Sequence, residues 1–162
     1  MSPPVVFPSQ RSSHFLSLLT TVVGHAGRVE NFLAAVPLLY KNSVTDSQKT
    51  THEISAPAGR ITFDRLGQGP PLLLVNGYGA SRADWDPGFL EALASSSTLY
   101  CPDNRGIGAS DFGDGTLSIE SMAGDMLGLL DSLGLGRVDV AGWSMGGFIS
   151  QQLASMAPGR VS

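Results

Sequence analysis

The stretch DVAGWSMGGFISQQL, Asp139 to Leu153, decides the fold. Val138-Asp139-Val140-Ala141 reads as a short strand. Ile149, Leu153 and Met156 recur at helical spacing behind it, and Pro158-Gly159 closes that run. Between strand and helix stands Gly142-Trp143-Ser144-Met145-Gly146. In a chain with 20 Gly the bare Gly-x-Ser-x-Gly pattern is weak. Its weight comes from following an apolar strand directly and opening an amphipathic helix, the turn that lifts a serine hydroxyl out of a sheet. Gly142 and Gly146 flank that turn where a Cβ would clash, and Gly147 lets the helix pack closely. The helix N-terminus aims free N–H groups and its positive dipole end at the serine, which makes the N–H of Met145 an oxyanion donor. The competing reading is a serine that only N-caps a helix in a Gly-rich turn.

Outward from this stretch the chain alternates strand and helix. Ile119, Met122, Ala123, Met126, Leu127, Leu130 and Leu133 fall on one helical face, with Glu120, Ser121 and Asp131 off it. Ser118 caps its start, and Gly134 takes the left-handed turn at its end. Leu72-Leu73-Leu74-Val75 is an unbroken apolar run, as in a strand covered on both faces. Thr98-Leu99-Tyr100-Cys101 is a second such strand, stopped by Pro102. A helix between them turns Phe89, Leu90 and Leu93 inward. Ile54 and Ile61 to Leu66 form two short strands around a turn at Pro57-Ala58-Gly59. Alternation of this kind predicts an α/β fold, a doubly wound and mostly parallel sheet.

Two loops follow the carboxyl ends of strands, where open α/β sheets bind ligands. Asn76-Gly77-Tyr78-Gly79 stands where an oxyanion hole draws its second donor, and the N–H of Tyr78 is the candidate. Asp103-Asn104-Arg105-Gly106-Ile107-Gly108-Ala109-Ser110 is the other. There Asp103 and Arg105 read as a structural ion pair that pins the loop.

Composition bounds the rest. The chain has 162 residues, a net charge of −4 and no basic stripe, which argues against a nucleic-acid partner. Cys101 is the one cysteine and sits in an apolar run, so it reads as a buried small hydrophobe; no disulfide or Cys-based metal site is implied. Charge changes sign along the chain. Residues 1–50 hold Arg11, Arg28, Lys41 and Lys49 against Glu30 and Asp46, whereas the remainder is acidic. Residues 1–50 therefore read as an N-terminal extension, weakly structured or targeting-like. The apolar stretch from Phe15 to Val23 is too short to span a bilayer, and a cytoplasmic protein is expected unless residues 1–30 act as a targeting segment.

From about Thr51 to Ser162 the chain resembles the N-terminal half of an α/β-hydrolase fold protein. The resemblance rests on Asn76-Gly77-Tyr78-Gly79-Ala80-Ser81, on Asp103-x-Arg105-Gly106-x-Gly108-x-Ser110, and on Gly142-Trp143-Ser144-Met145-Gly146-Gly147. The family commonly has His-Gly where this chain has Asn76-Gly77. Ala157-Pro158-Gly159-Arg160-Val161 resembles the lead into the family's next strand. The resemblance implies a serine hydrolase acting on an ester, lactone or related small acyl compound, with no metal or organic cofactor. Ser144 is then the nucleophile, and the N–H groups of Met145 and Tyr78 hold the oxyanion. A haloperoxidase, a C–C hydrolase or an acyltransferase shares that nucleophile; an epoxide hydrolase has Asp at that place. The family order is Ser, then Asp or Glu, then His, and no His, Asp or Glu follows Ser144. The expectation is a sheet truncated after the helix that follows the serine, with an exposed strand edge. The 162 residues alone are expected to be inactive. The alternative reading is a non-catalytic binding protein of the same fold or a truncated inactive product.

Overall fold

The computed structural model describes residues 21–23, 49–56, 59–113 and 117–162. Six strands form one sheet: β1 (Thr21–Val23), β2 (Thr50–Ala56), β3 (Gly59–Leu66), β4 (Pro71–Val75), β5 (Thr98–Pro102) and β6 (Asp139–Gly142). Among the described residues the helices are α1 (Pro87–Ala94), α2 (Ile119–Ser132) and α3 (Met145–Met156), with a 3-10 turn at Arg82–Asp84. The strand order is β1-β6-β4-β5-β3-β2. β4 pairs in parallel with both β5 and β6, while β3 runs antiparallel to β5 and to β2. β2, β4, β5 and β6 thus point the same way, as the alternating pattern predicted.

The central strand explains the layering. Side chains alternate across a strand. Leu73 and Val75 join Met126, Leu129, Leu130, Ile149 and Leu153 on the face covered by α2 and α3. Leu72 and Leu74 join Phe89, Leu90, Leu93 and Trp85 on the face covered by α1. Each such side chain contributes about 1.5–3 kcal/mol on burial. Only a run apolar at every position serves both faces, which is why β4 reads LLLV. Ser118 caps the start of α2, its hydroxyl accepting from the Ser121 N–H, and Gly134, with φ +62°, follows the C-cap Leu133. Met156, expected inward on α3, is instead exposed at the last residue of the helix.

The expected bare edge at β6 is covered. β1 pairs antiparallel along it, Thr21 opposite Gly142 and Val23 opposite Val140. Below β1, Val161 forms a parallel bridge with Val138, through the Val138 N–H to Arg160 carbonyl bond (2.9 Å) and the Ser162 N–H to Val138 carbonyl bond (3.0 Å). The lead into a further parallel strand, read from Ala157 to Val161, is therefore present. Apart from Thr21–Val23, Lys49 and Thr50, residues 1–50 lie outside the described residues, and with them His14, His25 and most of the apolar stretch from Phe15.

Candidate active site

β6 and α3 meet in a turn with almost no slack. The Trp143 N–H donates to the Val75 carbonyl (2.9 Å), so pairing with β4 continues one residue past β6. Ser144 then takes φ 52° and ψ −118°, and it is the one non-glycine residue with positive φ among those described. A non-glycine residue there costs on the order of 1–3 kcal/mol and persists only where its surroundings impose it. The Gly146 N–H bonds the Trp143 carbonyl and the Gly147 N–H bonds the Ser144 carbonyl, both at 2.8 Å. A Cβ on Gly142 would strike the Gly146 carbonyl, with the Gly147 nitrogen at 2.5 Å. One on Gly146 would strike the Val75 carbonyl oxygen, with Val75 C at 2.7 Å and Asn76 O at 2.8 Å. Both glycines are required for the reason the sequence suggested.

Ser144 makes no side-chain capping bond to α3 and is exposed. The simple N-cap reading is thereby set aside, because a capping serine spends its oxygen on a helix N–H. The N–H of Met145, at the first helical position, has no intrahelical acceptor.

The loop after β4 lies against this turn. A Cβ on Gly77 would stand 3.0 Å from Trp143 Cδ1 and 3.3 Å from Ser144 Cβ, so Gly77 faces the serine turn with no room for a side chain. Tyr78 follows, with its ring 85% exposed. Among the described residues neither the Tyr78 nor the Met145 N–H has a hydrogen-bond acceptor. Ser144, Met145 and the Gly77-Tyr78 peptide are thus brought together at the carboxyl end of the parallel strands.

Asp103 and Arg105 are both structural, but with other partners than each other. Asp103, fully buried, accepts from the Arg82 N–H (2.6 Å) and pairs with the Arg82 guanidinium, whose Nε also reaches Asp64 at 3.1 Å. Burial opposes the Arg82 charge, yet Asp103 and Asp64 raise its pKa above the ordinary value. Arg105 forms a two-pronged pair with Asp125 of α2, at 2.6 and 2.7 Å. Asp125 escaped the helical pattern because an acid inside an apolar face looks like an interruption until its cation is found.

No described histidine serves Ser144. His52 is on β2, four strands from β6, or about 19 Å at the usual strand spacing. It stacks on Phe63 (centroids 5.3 Å) and shares a 2.7 Å hydrogen bond with the Thr50 hydroxyl. Among the described residues no group of three His, Cys, Asp or Glu side chains could hold a metal, and no helix is long and apolar enough to cross a membrane.

Sheet order, the strained serine turn and the facing glycine loop define one architecture: the chain belongs to the alpha/beta hydrolase fold family, whose sequence profile matches residues 70–162. RutD of Azorhizobium caulinodans, provisionally named a carbamate hydrolase, is 41% identical over 101 residues, 62% of this chain and 38% of that one. The pimeloyl-[acyl-carrier protein] methyl ester esterase of Aeromonas hydrophila is 33% identical over 102 residues, 62% of this chain and 38% of the esterase. A hydrolase of Pseudomonas aeruginosa has a solved structure that superposes with a TM-score of 0.65 at 31% identity, covering 70% of this chain and 43% of that one. The chain therefore spans about two fifths of the length of the curated relatives it matches.

Proposed function

We propose that Ser144 is the nucleophile of a serine hydrolase that cleaves an ester, lactone or related small acyl compound. The observation that carries this reading is the backbone of Ser144 itself. It is held at positive φ between two glycines that admit no Cβ, with its side chain spent on no cap. The Ser144 hydroxyl oxygen attacks the acyl carbon, and its proton passes to a general base. The carbonyl oxygen becomes an oxyanion between the N–H groups of Met145 and Tyr78, which meet no competing acceptor. The leaving group departs with a proton returned by the base, and water then releases the acyl group by the same path. The names of the relatives, a methyl ester esterase and a carbamate hydrolase, support acyl chemistry at such a site.

His52 is too remote to be the base, so the base and the carboxylate behind it come from outside residues 49–162. The described residues hold the nucleophile and the oxyanion donors, and they turn over no ester by themselves. The experiment compares hydrolysis of short aryl esters by the full-length protein and by its Ser144→Ala variant. Turnover falls to background in the variant. Turnover that survives would place the nucleophile elsewhere.

A further inference from the structure

The Ala80 N–H closes a turn on the Gly77 carbonyl (3.3 Å), but no side chain of the oxyanion loop ties that turn to the rest of the fold. Gly77 and Gly79 have no side chains, Ala80 has a methyl group, and the Tyr78 ring is in solvent. A donor N–H on such a loop is useful only if something outside the loop fixes it, since a misplacement of about 1 Å costs on the order of 10²-fold in rate.

The side chain that ties the turn down is the amide of Asn76. Asn76, 4% exposed, accepts from the Gly77 N–H through Oδ1 (2.8 Å) and donates through Nδ2 to the Ser81 carbonyl (2.8 Å). It therefore closes the loop across both ends. Asn104, 1% exposed, donates through Nδ2 to the Asn76 carbonyl (3.0 Å) and holds the clasp from behind. Beyond Ser81 the chain is pinned again, by the Arg82 N–H on Asp103. Closing the loop takes one acceptor and one donor on a short side chain, and an amide provides both.

We propose that Asn76 is a positioning residue for the hydrolytic step, steadied by Asn104: its amide sets the Tyr78 N–H against the oxyanion formed at Ser144. This rests on the reading of Ser144 as the nucleophile. Asn76 touches no substrate and acts through the loop.

The test uses the full-length protein, phenyl butyrate, and the thionoester in which sulfur replaces the carbonyl oxygen. Sulfur accepts hydrogen bonds poorly, so the ester-to-thionoester rate ratio reports the oxyanion donors and not general integrity. Losing one oxyanion donor costs about 10²–10³ in kcat, so a displaced donor costs less, about 10–10². Asn76→Ala lowers kcat on the ester by that factor, leaves KM within about twofold, and shrinks the ratio about tenfold. Asn104→Ala moves the ratio the same way by a smaller factor. If Asn76→Ala has no melting transition, Asn104→Ala decides with the same ratio. An unchanged ratio in the folded variants, with Ser144→Ala inactive, overturns the role of Asn76 and leaves the nucleophile standing. Turnover that survives Ser144→Ala overturns both.

Discussion

Gly146 is the point at which the turn leaves least room, and substituting it gives a graded prediction. An alanine Cβ at Gly146 would stand 2.7 Å from Val75 C and 2.8 Å from Asn76 O, with the Val75 carbonyl oxygen closer still. Ordinary contact begins at 3.4 Å, so relieving the Val75 C contact alone moves α3 or the end of β4 by about 0.7 Å. Both neighbours are backbone, and neither has a rotamer to change. Overpacking of this kind costs about 1–3 kcal/mol, and a displacement approaching 1 Å at the nucleophile costs on the order of 10²-fold in rate. Gly77→Ala meets Trp143 Cδ1 at 3.0 Å and needs about 0.4 Å of movement, so its effect is smaller in both measures. Gly124, on α2, has nothing within 4 Å of its Cβ position, and Gly124→Ala stabilises by about 0.5–1 kcal/mol through helix propensity. The assays are urea denaturation and the rate of ester hydrolysis by the full-length protein. The predicted order of loss is Gly146→Ala, then Gly77→Ala, then no loss for Gly124→Ala. A Gly146→Ala protein with wild-type stability and rate would refute the steric account of the turn.

Two further outcomes follow from buried groups. Arg105→Ala leaves Asp125 buried without its two-pronged partner and lowers unfolding free energy by about 3–5 kcal/mol; replacing both residues with apolar ones of similar size recovers most of it, measured by urea denaturation. Burial pushes the Cys101 thiol well above its ordinary value of 9.0. Its folded pKa is raised, so its contribution is fully present below pH 9 and is lost as pH rises, by about 1.4 kcal/mol per unit. Cys101→Ala removes that slope in denaturation curves at pH 9 to 10.5, and a thiol reagent modifies Cys101 only on unfolding.

The fold was legible wherever one strand or helix face was enough to state a rule. The LLLV run announced a strand covered twice, and Met122, Met126 and Leu130 announced α2. The Gly142–Gly146 turn was legible because glycine at both flanks has a steric reason, the backbone that a Cβ would strike. What the sequence hid were partners. Arg105 lies close in sequence to Asp103, yet Asp103 pairs with Arg82 and Arg105 with Asp125, because loop ends face other elements in the sheet. The clasp of Asn76 was hidden for the same reason: an amide that bridges residues 77 and 81 has no pattern beyond its own identity. Pairing of Thr21–Val23 with β6 depends on a contact across more than a hundred residues, which local periodicity does not encode.

The central claim is that Ser144 is a poised nucleophile, and the most direct measurement is covalent capture. The full-length protein is treated with a fluorophosphonate probe, digested, and the modified peptide is identified by mass spectrometry. The account predicts a single adduct on Ser144, absent from Ser144→Ala and slowed in Gly146→Ala. An adduct on another serine, or equal labelling of the Ser144→Ala protein, would contradict it.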